Sequence, residues 1–213
     1  VDTRLDWTVG RNEVPFYDWG TYASSWSRNI TGGPFASKKN SIRQSQVATS
    51  HDASVWFSAG GVSLNIKLIR FSDVILMLAE AEAQVGTLAN AFADVNLVRT
   101  RAMNTPVAPG IPASTVPKTA PYTVVFATKT AALAAIQLER SLELGLEGHR
   151  FFDLVRWGTA TSELTAIWAY EHLIPYQAGG DLNNPVPTFA GGQQNYYAVP
   201  QQQIDLSHGF IKP

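Results

Sequence analysis

The fold is decided by residues 69–102, whose sequence is IRFSDVILMLAEAEAQVGTLANAFADVNLVRTRA. Apolar side chains recur at helical spacing on both sides of Gly86, which predicts two amphipathic helices. Glycine is favoured just after the last turn of a helix, and Thr87 is a residue type that caps the start of the next one. Because so short a turn leaves the two helices side by side, the stretch predicts an antiparallel helical hairpin.

Three further helical segments follow this hairpin. Apolar periodicity predicts helices over residues 130–147, 150–157 and 163–173. Residues 104–128 carry five of the twelve prolines, so we predict an extended excursion there instead of a helix. The predicted fold class is therefore mainly α, with helical hairpins in tandem as in a tetratricopeptide-like superhelix and with long irregular loops.

The segments before and after the helices are rich in turn-forming residues. Glycine-containing turn signals are dense over residues 1–63, and the tail from Pro175 is rich in Gly, Pro and Gln. We predict a loop-rich segment over 1–63 and a helical domain with a Pro/Gly-rich tail over 64–213, packed as one compact unit. The chain starts at Val1 without a signal peptide, so we expect a fragment of a longer protein.

Composition excludes several classes of function. The 213 residues include 16 basic and 17 acidic side chains, which gives a net charge of −1 and no basic field for nucleic acid. The chain has no cysteine, so it has neither a disulfide scaffold nor a thiolate metal site nor a cysteine nucleophile. The four histidines lack the spacing of metal ligands, and we expect no metal site.

A stripe of carboxylates marks residues 138–157. Glu139, Glu143 and Glu147 follow one another at intervals of four residues, and like charges at that spacing repel unless cations face them. Paired carboxylates could hydrolyse a glycosidic bond, but carboxylates spaced along one helix rarely converge on one bond. We favour a partly buried ion network that fixes helix packing, with the members Asp73, Glu80, Arg99, Arg101, Glu139, Arg140, Glu143, Glu147, Arg150, Asp153 and Arg156.

Aromatic residues are concentrated near the start of the chain. The first 35 residues hold seven of the 23 aromatic side chains, among short polar and charged residues. Flat rings beside hydrogen-bonding groups suit the faces and hydroxyls of sugars, although such rings can equally anchor irregular loops. The candidate ligand-binding residues are Trp7, Trp19, Tyr22, Trp26, Asp18 and Arg28.

Five collinear motifs resemble one known family, the SusD/RagB proteins. Residues 69–81 are similar to its IRYADVLLMYAEA signature, and residues 96–102 are similar to NxVRxRA. Residues 139–157 resemble ERxxELxxEGxRFFDLVRW. Residues 2–11 resemble DPRLDWTVGR, and residues 197–206 resemble YPIPxxEI, with Ala198 and Val199 replacing the usual Pro-Ile. The resemblance covers nearly the whole chain.

The resemblance implies a non-catalytic, glycan-binding lipoprotein on the outer face of the outer membrane. Such proteins take up nutrients by delivering oligosaccharides to a SusC-like TonB-dependent transporter, and we expect their lipid anchor to lie N-terminal to this sequence. We expect no cofactor, although calcium is sometimes present in the family. The alternative is a helical-repeat scaffold that docks a protein partner and has no ligand site of its own.

Overall fold

The computed structural model describes residues 2–27, 34–54, 61–108, 110, 119–172, 189–190 and 198–211. The chain divides into two compact units, Val1–Arg150 and Phe151–Pro213. The first unit therefore holds both the loop-rich segment and the helical hairpin. The two are joined because Arg4 of the loop-rich segment is ion-paired to Glu139 and Glu143 of the helical region.

The described elements of the first unit are short near its start and long after residue 70. In chain order they are α1 (Leu5–Thr8), β1 (Val9–Gly10), β2 (Ala36–Ser37), α2 (Val47–Ser50), β3 (His51–Asp52), β4 (Gly61–Val62), α3 (Phe71–Val85), α4 (Leu88–Met103) and α5 (Lys129–Glu143), with two 3₁₀ helices at Ser24–Trp26 and Gln44–Gln46. The strands form two antiparallel pairs, in which Val9 lies opposite Ser37 and His51 lies opposite Val62. These two-residue pairs join loops to each other and build no larger sheet among the described residues.

Helices α3 and α4 form the predicted hairpin. The Thr87 hydroxyl oxygen accepts a hydrogen bond from the backbone N–H of Asn90 at 3.1 Å, so Thr87 caps α4 as its residue type predicts. Helix α5 packs against both helices of the hairpin. The three helices enclose a core of large and small apolar side chains: Leu76, Ala79, Ala83, Ala91, Val95, Val98, Ala132 and Ile136. The many alanines let the helix backbones approach one another closely.

Helix α5 ends at Glu143, four residues before the predicted end at 147. Leu146 has a φ of 64° and Gly148 has a φ of 84°, and this left-handed backbone cannot continue a right-handed helix. Glu147 therefore lies in the turn after α5 and not on the helix. The third carboxylate of the stripe consequently reaches its partners from a loop.

Helix α6 (Arg150–Arg156) begins at the last residue of the first unit, and the second unit holds the rest of it together with α7 (Ala160–His172) and α8 (Gln201–Leu206). Leu154, Ala160 and Phe189 are buried together, and half-buried rings of Phe151 and Trp168 pack against them. Most of the predicted tail from Pro175 and residues 109 and 111–118 of the predicted excursion lie outside the described residues. The described part of residues 104–128 contains no helix. No helix among the described residues is long and apolar enough to cross a membrane.

We expect Ile136→Ala to lower the free energy of unfolding by about 2–5 kcal/mol, because it leaves a cavity in the fully buried centre of the three-helix core. Leu138→Ala is the matched control on the same helix, since Leu138 is 52% exposed and its truncation should cost under about 1 kcal/mol. Urea unfolding followed by circular dichroism measures both. Equal losses for the two variants would contradict this account of the core.

Candidate functional site

Glu143 lies at the centre of a buried ion network in the first unit. The residue is only 2% exposed. Its carboxylate oxygens lie 2.8 Å from Nη1 of Arg4, 2.5 Å from Nη1 of Arg70 and 2.6 Å from Nη2 of Arg101. Three guanidinium groups from three separate parts of the chain thus converge on one carboxylate at the end of α5.

The other two carboxylates of the stripe share these cations. Glu139 accepts hydrogen bonds from Arg4 at 2.7 Å and from Arg99 at 2.8 Å. Glu147 accepts from Lys39 at 2.6 Å and from Nε of Arg70 at 2.7 Å. Arg4 therefore links Glu139 to Glu143, and Arg70 links Glu143 to Glu147, so that cations separate like charges that would otherwise repel.

The structure places the remaining predicted members of the network outside the cluster around Glu143. Arg140 donates to Asp73 at 2.8 Å, which forms a separate buried pair between α5 and α3. In the second unit, Arg156 lies 3.0 Å from Asp153. Glu80 is half-buried on α3, and Arg150 is exposed at the start of α6.

Residue patterns did not reveal three of the cations that complete the network, Arg4, Lys39 and Arg70. Arg4 lies just before α1, Lys39 lies in a turn and Arg70 precedes the first residue of α3. Residues in such places have no helical periodicity that would point them at α5. The available signal was that Arg4 and Arg70 both fall within the family-like motifs.

The network also lowers the pKa values of two of its carboxylates, those of Glu143 and Asp2. Burial by itself would raise the pKa of Glu143, but hydrogen bonds from Arg4 and Arg70 and the charges of Arg70 and Arg101 lower it from 4.5 to about 2. Burial likewise opposes ionisation of Asp2, yet its hydrogen bonds to Arg4 lower its pKa from 3.8 to about 2. Both carboxylates are therefore firmly ionised at neutral pH.

A cleft of about 360 Å³ opens beside this network. Its walls include Glu143 and Glu147 together with five cationic side chains, those of Arg4, Lys39, Lys67, Arg70 and Arg101. Trp7 also lines the cleft and is held in place by a hydrogen bond from its Nε1–H to the carbonyl of Pro106 at 2.7 Å. A smaller cavity of about 220 Å³ shares Lys39, Lys67 and Glu147 with the cleft, so the two adjoin.

The predicted aromatic ligand-binding residues divide by exposure. Tyr22 is only 2% exposed and stacks on Phe16, with ring centroids 5.6 Å apart, so its ring cannot receive a sugar in this conformation. The prediction for Tyr22 is therefore wrong, because the ring anchors the loop. Trp26 packs edge-on against Tyr22 but is 51% exposed, and Trp19 is 39% exposed while its N–H donates to the carbonyl of Ile42.

The polar candidates give less support to a ligand site. Asp18 accepts hydrogen bonds from the backbone N–H groups of Gln44 and Ser45 at 2.7 and 3.0 Å. Hydrogen bonds, chiefly those from Ser45, lower the pKa of Asp18 from 3.8 to about 2. The Asp18 carboxylate thus stabilises the backbone at residues 44–46. Arg28 lies outside the described residues.

Comparison with known proteins identifies the class. The SusD family matches this chain over residues 1–212, and the chain belongs to that family. The chain is similar to the SusD-like protein P25 of Formosa agariphila, with 35% identity over 91 residues that make up 43% of this chain and 15% of that protein. A SusD superfamily protein from Bacteroides vulgatus superposes with a TM-score of 0.58 at 20% identity, covering 96% of this chain and 37% of that one.

These relatives confirm the fold class and indicate the general function of the family. The fold is mainly α and tetratricopeptide-like, as in the SusD superfamily structure. SusD-family proteins are known as binding proteins and are generally associated with the cell surface or outer membrane. The chain spans well under half the length of both relatives. Among the described residues, no three acidic or histidine side chains are grouped so that they could hold a metal ion.

We expect Glu143→Gln to lower the free energy of unfolding at pH 7 by about 3–5 kcal/mol, because it removes the charge that balances three arginines in a buried site. The variant should also be less sensitive to acid. The ionised Glu143 stabilises the wild type fully above its unfolded pKa of 4.5, and this contribution is lost as the pH falls towards its folded value of about 2. Urea unfolding across pH 2–7 measures both effects.

Glu13→Gln is the matched control, because Glu13 is exposed in the same unit. It should leave both the stability and its pH dependence within about 0.5 kcal/mol of the wild type. If Glu143→Gln behaved like this control, the ion network would not hold the unit together.

Proposed function

We propose that this chain binds carbohydrate without catalysis, as part of a surface-exposed outer-membrane lipoprotein that delivers oligosaccharide to a SusC-like TonB-dependent transporter. The observation that carries the proposal is membership of the SusD family over residues 1–212. The exposed Trp19 and Trp26 rings support it, because aromatic faces flanked by polar loop residues suit sugar rings.

The chemistry of the glutamates favours binding over hydrolysis. A glycosidase needs a carboxylic acid that stays protonated near neutral pH in order to donate its proton to the leaving group. The pKa of Glu143 is instead lowered to about 2, and its oxygens are occupied by arginines. The stripe is therefore better suited to a structural role than to acid catalysis.

We expect Trp26→Ala to weaken glycan binding by about tenfold, which corresponds to the loss of roughly one aromatic contact. The double variant that adds Trp19→Ala should weaken binding further. Isothermal titration with the wild type against a panel of poly- and oligosaccharides first identifies a ligand. Phe71→Ala is the matched control, because Phe71 is an exposed ring on α3 that is far in sequence from the loop that carries Trp19 and Trp26.

Unchanged affinity in the double tryptophan variant would show that these rings do not bind the glycan. Silence of the wild type across the whole panel would reject carbohydrate binding by this chain. It would leave the second candidate function, docking of a protein partner.

A specific observation favours that second candidate. Helix α3 exposes Phe71, Val74, Leu78 and Val85 at helical spacing, and Ile66, Leu68 and Ile69 before the helix are exposed as well. A concentration of exposed apolar side chains of this kind is typical of protein–protein interfaces. We name these seven exposed apolar residues the apolar face, and the partner proposed for it is the SusC-like transporter.

We expect Leu78→Asp to reduce co-purification of the transporter with the longer protein that carries this chain, because it places a charge within the apolar face. Glycan affinity should stay unchanged. Ala89→Asp, in the exposed first turn of α4, is the matched control for the added charge. Undiminished capture by Leu78→Asp would reject the apolar face as the docking site.

A further inference from the structure

The cleft beside the ion network carries an excess of positive charge. Five cations and two carboxylates line it, which leaves three unbalanced positive charges at the wall. Asp2 and Glu139 behind the wall compensate Arg4, but Arg99 adds a further cation. The whole cluster then has six cations and four carboxylates. This surplus is local, since the chain as a whole has a net charge of −1.

The surplus resides on two exposed side chains. Lys67 is exposed and has no ion-pair or hydrogen-bond partner within the described ranges. Arg101 binds both oxygens of Glu143 through Nη2 alone, and its side chain is 56% exposed. Its Nε–H and Nη1–H groups bond to no residue that the structure describes. These donors are available to a ligand.

The inner cations, by contrast, are already occupied. Arg4 bonds to Asp2, Glu139 and Glu143, and Arg70 bonds to Glu143, Glu147 and the hydroxyl of Ser72. They hold Glu143 and Glu147 ionised and fixed, so these carboxylates are shielded by their partners. An incoming anion therefore meets Lys67 and Arg101 first.

We propose that the cleft binds a negatively charged sugar residue, one that carries a carboxylate or a sulfate ester. Charge-assisted hydrogen bonds from Arg and Lys are the usual means of binding such oxyanions. Trp7 on the wall offers an apolar surface for the sugar ring, and the adjoining cavity that shares Lys67 leaves room for a neighbouring residue. The carbohydrate part of this inference rests on the proposed function, and the anionic part rests on the charges of the cleft.

The test compares three polymers that share one backbone: dextran, carboxymethyl-dextran and dextran sulfate. Isothermal titration of the wild type should give at least about tenfold tighter binding for one or both charged polymers than for dextran. The two charged polymers show whether carboxylate or sulfate is preferred. Binding should weaken as salt is raised, because the cleft is open to solvent.

The variants Lys67→Ala and Arg101→Gln should each lower affinity for the charged polymer by about tenfold. Both residues are exposed, and Glu143 keeps Arg4 and Arg70 in Arg101→Gln, so folding should be retained and is checked by urea unfolding. Lys129→Ala is the matched control. Lys129 begins α5 and Glu143 ends it, which places Lys129 roughly 20 Å from the cleft along the helix.

Equal losses in Lys67→Ala and Lys129→Ala would overturn the proposal, since they would show general attraction between surface lysines and a polyanion. Equal affinity of the wild type for all three polymers would also overturn it. If a neutral glycan from the panel still bound in that case, carbohydrate binding itself would stand and only the anionic specificity would fail.

Discussion

Carboxylates buried at the end of α5 place a constraint on the whole first unit. A carboxylate without a partner in a low-dielectric interior costs several kcal/mol, so Glu139 and Glu143 can be buried only where cations surround them. No single element supplies those cations. Arg4 comes from the start of the chain, Arg70 precedes α3 and Arg101 belongs to α4. The loop-rich segment and the hairpin are thereby required to meet at α5.

The helical part of this arrangement follows from local sequence. Gly86 and Thr87 mark the turn between α3 and α4 because a glycine ends one helix easily and a threonine hydroxyl caps the next. The evenly spaced glutamates likewise require facing cations on physical grounds alone. Arg99 and Arg101 could be anticipated because they lie on a helix whose face is readable from its periodicity.

The rest depends on tertiary contacts that no local pattern encodes. Leu146 adopts a left-handed backbone, which leucine disfavours, so the end of α5 and the position of Glu147 could not be predicted. Tyr22 and Trp26 lie four residues apart in the same aromatic stretch, yet one is buried and the other exposed. Composition shows that such rings are present, but only packing decides which of them meets solvent.

The separation in sequence between the paired residues has a consequence for the order of folding. Arg4 contacts Glu139 across 135 positions and Lys39 contacts Glu147 across 108, whereas α3 and α4 meet through a two-residue turn. Closing long loops is entropically costly and slow, so local hairpins form before distant segments join. We therefore expect the hairpin with α5 to form first and the first forty residues to close onto it afterwards. In that order of folding, the cleft beside Trp7 and Lys39 forms only when the first forty residues close onto the helices.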